Sequence, residues 1–295
     1  MNFLSGFIAI VGPTNVGKST LMNYILGTKA AIVSPKPQTT RNRIMGIYHG
    51  EGLQMVFMDT PGIHKPGSAL SKSMVSSALA TLQEVDIILL MIEMGHPDNP
   101  EISTVLRNLK GRAELPCILL INKIDLGSRD HLLPIIDKFR QKYPFDAIIP
   151  ISALKGDGIE SLFAELKSKL KPGPQFFPDD MKTDRPESFL VSEVIREKIY
   201  SHTKKELPYS SAVTTETIED IPKKKLISIV AGIHVETDSQ KGILVGRQGR
   251  MIKAIGTSAR MELEKIFGVQ VYLNLTVRVE KNWTKNTKAL KRLGY

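Results

Sequence analysis

A chain of 295 residues is long for one core, and 42% hydrophobic with 24% charged residues is ordinary globular composition, so two packed domains are expected. A lone cysteine, Cys117, excludes an internal disulfide, and no run reaches the ~18 apolar residues of a membrane span. The formal charge of +10 sits wholly in residues 222–295, which hold 15 Lys or Arg against 5 Asp or Glu, and this favours a polyanion partner, nucleic acid or acidic lipid.

From the N-terminus, FIAIVG reads as a buried strand and is followed at residues 12–19 by GPTNVGKS. The pattern G-x-x-x-x-G-K-[ST] suits a loop that wraps phosphate. Gly12 and Gly17 permit backbone angles closed to other residues, so successive N–H groups can turn inward. Lys18 adds a positive charge, and Ser19 offers a hydroxyl to Mg²⁺ at the start of the next helix, GKSTLMNYILG, whose N-terminal end favours anions. The blander reading, a glycine-rich strand-to-helix turn, does not require the lysine and serine.

Next comes SPKPQTTRNR at 34–43, poor as helix and as strand, in keeping with a loop that orders on ligand. A threonine here is expected to complete an Mg²⁺ shell. Thr39 and Thr40 both qualify, with Thr40 preferred. The run MVFM then ends in DTPG at 59–62, where Asp59 can hold Mg²⁺ through water and the Gly62 N–H can approach a terminal phosphate. Ile63 follows, at the place where a water-orienting glutamine stands in Ras-like enzymes. Slow intrinsic turnover is therefore expected. His64 is a weak candidate for a base, since loop histidines beside prolines are usually just solvated. The second switch is expected from Gly62 through HKPGSALSKS.

Beyond it, DIILLMI, CILLINK and AIIPISA read as strands, and SKSMVSSALATLQEV, NPEISTVLRNLKG, HLLPIIDKFRQKY and IESLFAELKSKL carry apolar residues at helical spacing. This alternation predicts an α/β fold, a mostly parallel sheet with helices on both faces, whose ligands bind at the carboxyl ends of the strands. Cys117, inside one such strand, reads as a core residue of a reducing compartment.

NKID at 122–125 selects the base. The Asp125 carboxylate can accept from two guanine donors, whereas adenine would leave it unpaired. Asn122 can reach N7 and tie the loop to residues near Asn15. The stem of Lys123 is expected along the base plane. Ser152 and Ala153 open the SAL stretch, where the Ala153 N–H can donate to guanine O6.

These four pieces, in this order, resemble the translation-factor-like GTPases over residues 5–170. The resemblance implies a P-loop GTPase domain of six strands, one of them antiparallel near RIMGIYHG, with Mg²⁺ and hydrolysis of GTP to GDP. Carried onto this chain, it makes Lys18, Thr40 and Gly62 the catalytic candidates. The nucleotide contacts are Gly12, Pro13, Thr14, Asn15, Val16, Gly17, Lys18, Ser19, Thr20, Asp59, Thr60, Pro61, Gly62, Ile63, Asn122, Lys123, Asp125, Ser152 and Ala153. The metal candidates are Ser19, Thr39, Thr40 and Asp59.

Four prolines within 171–186 read as a linker or extended connection, with Phe176 and Phe177 docked on a domain rather than left in water. The rest reads helix, strand, strand, helix, helix, strand, with AVTTETI alternating faces. Between its last two helices lies GRQG at 246–249, a turn able to lie flush on a sugar–phosphate backbone. Lys241, Arg247, Arg250, Lys253 and Arg260 flank it. With this element order the segment resembles a KH domain, an α+β fold that grips single-stranded RNA. The candidate RNA contacts are Lys241, Gly246, Arg247, Gln248, Gly249, Arg250 and Lys253. Ile243, Val245, Ile252 and Ile255 are core or groove floor. Five Lys or Arg follow in the last fifteen residues, with Trp283 an anchor for the tail or a stacking platform.

The expected division is a GTPase domain at 1–172, a linker at 173–186, a KH domain at 187–280 and a basic tail at 281–295. One GTPase domain followed by one KH domain resembles a family of bacterial ribosome-assembly GTPases. That likeness implies binding to the 3′ end of 16S rRNA, not DNA, and a role in assembly of the 30S subunit. It also implies a cytoplasmic monomer with peripheral contact at the inner membrane. The competing reading is a membrane-surface GTPase whose basic segment binds acidic lipid, but lipid needs charge and no glycine turn.

Overall fold

A computed structural model of the chain describes residues 3–34, 36–63, 68–112 and 114–295. The chain divides into two compact units. The first holds residues 1–31, 40–66 and 72–184, and the second holds 32–39, 67–71 and 185–295.

In chain order the first unit contains β1 (Leu4–Val11), α1 (Lys18–Leu26), β2 (Ile44–Gly50), β3 (Leu53–Asp59), all but the first three residues of α2 (Ala69–Thr81), β4 (Ile87–Glu93), α3 (Pro100–Leu109), β5 (Cys117–Asn122), α4 (Leu132–Lys142), β6 (Ala147–Pro150), α5 (Ile159–Lys169) and β7 (Lys171–Pro172). Among the described residues the sheet runs β2-β3-β1-β4-β5-β6, with the short β7 paired to the start of β1. Only β2 and β7 run antiparallel to their neighbours. The six strands and one antiparallel strand expected from the resemblance are therefore present, and β7 is an addition.

Strands β3 and β5 are buried along their whole length because helices cover both sheet faces, and such strands read as continuous apolar runs. On one face Ala9, Val11, Ile88, Leu90, Leu119 and Ile121 pack with Ala78 of α2, Val105 of α3 and Phe139 of α4. The alternate residues Ile8, Ile10, Leu89, Met91 and Leu120, equally buried, face the other side, where α1 contacts β2 and β3 and α5 contacts β6. Cys117 is 1% exposed, and burial pushes its thiol up to about 12, as suits a packed residue rather than a nucleophile.

The proline-rich stretch does not hang free. Its residues line the open edge at β2: Ile47 N–H donates to the Lys182 carbonyl at 2.9 Å and Met45 N–H to Asp184 Oδ1 at 3.0 Å. The Gln54 carboxamide takes the N–H groups of Phe176 and Phe177 and donates to the Phe177 carbonyl. Phe176 stands 4.8 Å from Phe7, ring to ring. An exposed strand edge is thus satisfied by the connection itself.

The second unit contains α6 (Glu187–His202), the one-turn α7 (Leu207–Ser210), β8 (Ala212–Ile221), β9 (Leu226–Val235), α8 (Asp238–Val245), α9 (Arg250–Phe267), β10 (Gln270–Val279) and α10 (Thr287–Arg292). Its strands order β10-β9-β8, the first pair parallel and the second antiparallel. Val191, Val194, Ile195, Ile233, Ile255 and Leu263 belong to its core. The alternation read in β8 breaks down: a register shift between Thr215 and Thr217 marks a bulge, and Ala212 and Val213 are both buried. Trp283 is an anchor. It is fully buried, donates from Nε1 to the Ser210 carbonyl at 3.0 Å and lies against Tyr295. Among the described residues no helix is long and apolar enough to cross a membrane.

Candidate functional site

The phosphate loop leaves β1 at the carboxyl edge of the sheet, and both loop glycines are required there. At Gly12 (φ 153°) a Cβ would lie 2.2 Å from the Met91 carbonyl oxygen. At Gly17 (φ 104°) it would lie 2.3 Å from Asn122 Nδ2. Asn15 adopts φ 62°, so the loop turns back on itself. No side chain caps the start of α1, which leaves its first N–H groups for an anion. Lys18 is 6% exposed and donates to the carbonyls of Pro13 at 2.7 Å and Gly12 at 3.2 Å. Burial lowers its ammonium to about 8, against the raising influence of Asp59 and Glu101. The loop therefore holds a desolvated cation in place before any phosphate arrives. Thr20 lies in the first turn of α1, one residue beyond Ser19.

Three oxygens meet beside the loop. Ser19 Oγ donates to Asp59 Oδ2 at 2.6 Å and lies 2.8 Å from Thr40 Oγ1, which is 3.5 Å from the same carboxylate. Asp59 is fully buried, and among the described residues its Oδ1 has no partner. Burial raises its carboxyl to about 6, while Lys18 and the hydrogen bonds of Ser19 and Thr40 hold it lower than burial alone would. A buried carboxylate with an orphan oxygen, flanked by two hydroxyls, is a hard-oxygen set that fits Mg²⁺. Thr39 does not join it. Its hydroxyl turns away to the Lys36 carbonyl at 2.7 Å, closing the turn in which Gln38 takes φ 59°.

Thr60 is anchored through its hydroxyl to the Ile10 carbonyl at 2.8 Å. After Pro61, Gly62 passes so close to the phosphate loop that a Cβ would lie 2.6 Å from Thr14 Cγ2. Ile63 is completely buried and donates its N–H to the Gly12 carbonyl at 3.3 Å. Its side chain belongs to the core and has no polar atom to orient water. His64 lies outside the described residues, as does the first part of the second switch, residues 64–67. The remainder is Ser68 and the start of α2, which begins two residues before the predicted start; Ser71, in its first turn, exchanges hydrogen bonds with Ser68.

At the base end, Asn122 bridges three loops. Its Nδ2 donates to the Val16 carbonyl at 2.7 Å and its Oδ1 accepts the Ala153 N–H at 2.9 Å. The Ala153 N–H expected to meet guanine O6 is thus already engaged, while Asn122 Nδ2 keeps a second hydrogen for N7. Asp125 Oδ1 accepts from the buried Ser152 hydroxyl at 2.7 Å, which aligns the carboxylate. Lys123 takes φ 65° and pairs with Glu93 at 2.8 Å. Two acids outside every motif have therefore joined the site: Glu93, and Glu101, whose Oε2 accepts the Thr14 N–H at 3.1 Å. The only signal for Glu93 was a charged residue closing an otherwise apolar strand.

In the second unit the GRQG turn joins α8 to α9, with Gly246, Gln248 and Gly249 at φ 71°, 53° and 74°. The start of α9 again lacks a side-chain cap. Lys241, Arg247, Arg250 and Lys253 are exposed around it. Beside the turn, α9 and β10 flank a groove of about 470 Å³ lined by Ile252, Lys253, Arg260, Tyr272 and Leu275, among others. Of the four aliphatic candidates, Ile255 is core, Ile252 lines this groove, Val245 is half-buried and Ile243 stands 49% exposed.

This is a guanine-nucleotide-binding fold joined to a glycine-turn RNA-binding fold. Residues 7–123 match the family model of the 50S ribosome-binding GTPases, and residues 206–284 match that of the KH domain. The GTPase Era of Syntrophus aciditrophicus is 50% identical over 293 residues, covering 99% of this chain and 95% of the relative. That of Geotalea uraniireducens is 50% identical over 294 residues, covering 99% and 98%. The chain belongs to the Era family of GTPases. Among solved structures, an Aquifex aeolicus Era variant bound to GDP and AlF4⁻ matches with a TM-score of 0.95 at 40% identity, over 100% of this chain and 99% of that one. Era in complex with MgGDPNP and nucleotides 1506–1542 of 16S ribosomal RNA also matches at 0.95, with 39% identity and 99% of each chain covered.

Proposed function

We propose that this protein hydrolyses GTP to GDP and binds the 3′ end of 16S rRNA through its KH domain, as a switch in assembly of the 30S subunit. The observation that carries the GTPase half is the cluster of Ser19, Thr40 and Asp59 oxygens beside the phosphate loop, with Asp59 Oδ1 buried and unpartnered among the described residues. Ser19 and Thr40 would hold Mg²⁺ directly and Asp59 through water. When bound, the ion neutralises charge on the β- and γ-phosphates. The N–H groups of Asn15 to Thr20 would surround the phosphates, and Lys18 is held where it can pair with the terminal ones. The N–H of Gly62 approaches the γ-phosphate and registers its loss. Ile63 leaves water positioning to backbone groups, Mg²⁺ or a partner, so intrinsic hydrolysis is slow. Asn122 and Asp125 read guanine, with Ser152 aligning the Asp125 carboxylate.

The RNA half rests on the uncapped glycine turn, its exposed cations and the likeness to an Era that binds 16S rRNA. Lys241, Arg247, Arg250 and Lys253 contact phosphates, and the close approach at Gly246 and Gly249 lets them do so. The reading places a monomer in the cytoplasm with peripheral contact at the inner membrane, which cell fractionation tests.

Two experiments test the whole. Asp125→Asn reverses the acceptor pattern at the base edge and is expected to shift preference from GTP to XTP. Unchanged GTP affinity would sink the base reading. Footprinting on small-subunit RNA with GTP and with GDP is expected to protect the 3′ end. Protection elsewhere, or binding to anionic vesicles alone, would replace rRNA with another target.

A further inference from the structure

Most groups that face the base are fixed by residues already within the motifs. Asn122 is held by Val16 and Ala153, and Asp125 by Ser152. Lys123 is the exception, since its ammonium is held by Glu93, at 2.8 Å from Oε2. Glu93 is the last residue of β4 and lies beside Asn122 in the parallel register. The Met94 N–H donates to the Asn122 carbonyl at 2.9 Å, which locks the two strand ends together. The left-handed backbone at Lys123 (φ 65°, ψ 36°) then turns its side chain back toward that neighbouring strand end. Both partners are mostly shielded, with side chains 29% and 20% exposed. The other carboxylate oxygen, Oε1, is 3.5 Å from Nδ1 of the exposed His96.

We propose that Glu93 is a positioning residue for guanine nucleotides, anchoring the Lys123 ammonium so that the aliphatic stem is already extended where the base is to lie. The inference rests on reading NKID as the base-binding loop. Glu93 itself touches no nucleotide. Without it the lysine samples many rotamers, and binding must order it. It also neutralises the ammonium, so the surface offered to the base is the methylene stem rather than a charge. Because base contacts are common to the di- and triphosphate, loss of the anchor should weaken both equally. A defect on the phosphate side, as at Thr40, should instead separate GTP from GDP.

The test is dissociation of fluorescent GDP and of a fluorescent non-hydrolysable GTP analogue, followed by stopped flow. The proteins are the parent, Glu93→Gln, Lys123→Met and the double variant. Glu93→Gln is expected to speed release of both nucleotides by the same factor, about fivefold for a partly shielded ion pair. The double variant should release no faster than Lys123→Met alone, since the anchor has then nothing to hold. Unchanged release, unequal factors for the two nucleotides, or additive effects overturn the proposal. If Glu93→Gln lowers the melting temperature of the nucleotide-free protein, Glu93→Asp takes its place. It keeps the charge, shortens the reach, and is expected to give a smaller acceleration; no acceleration overturns the anchor. Asp125→Asn is run beside them. If it fails to gain xanthine nucleotides, the base reading fails; if it gains them while Glu93→Gln releases normally, only the anchor is overturned.

Discussion

Gly249→Asp separates contact with RNA from support of the fold, because the two glycines of the turn differ in their surroundings. At Gly246 a Cβ would stand 2.7 Å from Met251 Cβ and 2.9 Å from its backbone nitrogen, so substitution there forces the turn apart. At Gly249 a Cβ meets nothing within 4 Å, and the cost is only that of the left-handed backbone (φ 74°, ψ 10°). For aspartate that cost is about 1 kcal/mol, offset by roughly 0.5 kcal/mol from placing a carboxylate at the start of α9. Against a domain stability of about 5–15 kcal/mol the variant stays folded. The new carboxylate nevertheless takes the position offered to phosphate. Losing one charge-assisted bond of about 1.5–3 kcal/mol corresponds to roughly 10- to 100-fold weaker RNA binding. The assay is filter binding to a short single-stranded RNA across a salt series. The slope of log affinity against log salt should fall by about 0.7 for one lost phosphate contact. GTP affinity, set in the other unit, should not change. A variant that melts like the parent and binds RNA within twofold of it would refute the glycine-turn assignment, and the basic segment would become a candidate for lipid.

What could be read in advance follows from how local each feature is. The phosphate loop, DTPG and NKID are runs of consecutive residues at strand ends, so spacing alone exposes them, and β3 and β5 declare themselves because burial on both faces makes them continuously apolar. Glu93 and Glu101 were invisible for the opposite reason. One reaches the site through the parallel register of β4 with β5, the other from the first turn of α3, and neither relation leaves a trace in sequence spacing. Thr39 and Thr40 are chemically identical neighbours, and only the backbone decides which hydroxyl meets Asp59. The composition of the proline-rich stretch showed that it forms neither helix nor strand core. That it would satisfy the edge at β2 depended on Gln54 and on main-chain groups that composition does not encode. The bulge in β8 likewise defeats any alternation argument, since one extra residue reverses the facing of everything after it.

Two further outcomes follow from buried side chains. Trp283→Ala removes a fully buried ring and its bond to the Ser210 carbonyl, and should cost about 3–5 kcal/mol in urea unfolding of the whole chain. A loss below about 1 kcal/mol would mean that the tail does not stabilise the second unit. Asp59→Asn should stabilise the metal- and nucleotide-free protein while abolishing Mg²⁺-dependent nucleotide binding. Burial moves the carboxyl from 3.8 to about 6. Below pH about 3 it is protonated in both folded and unfolded chains and carries no penalty. As pH rises from about 4 to 6 the unfolded chain releases its proton first, so stability falls, by about 3 kcal/mol once pH 7 is reached. Asparagine is neutral throughout and escapes this loss. The advantage of Asp59→Asn over the parent should therefore grow by about 1 kcal/mol between pH 5 and pH 7, measured by urea unfolding in chelator. An advantage that is equal at both pH values would show that the carboxylate is not desolvated, and would remove the electrostatic reason for a cation at that oxygen cluster.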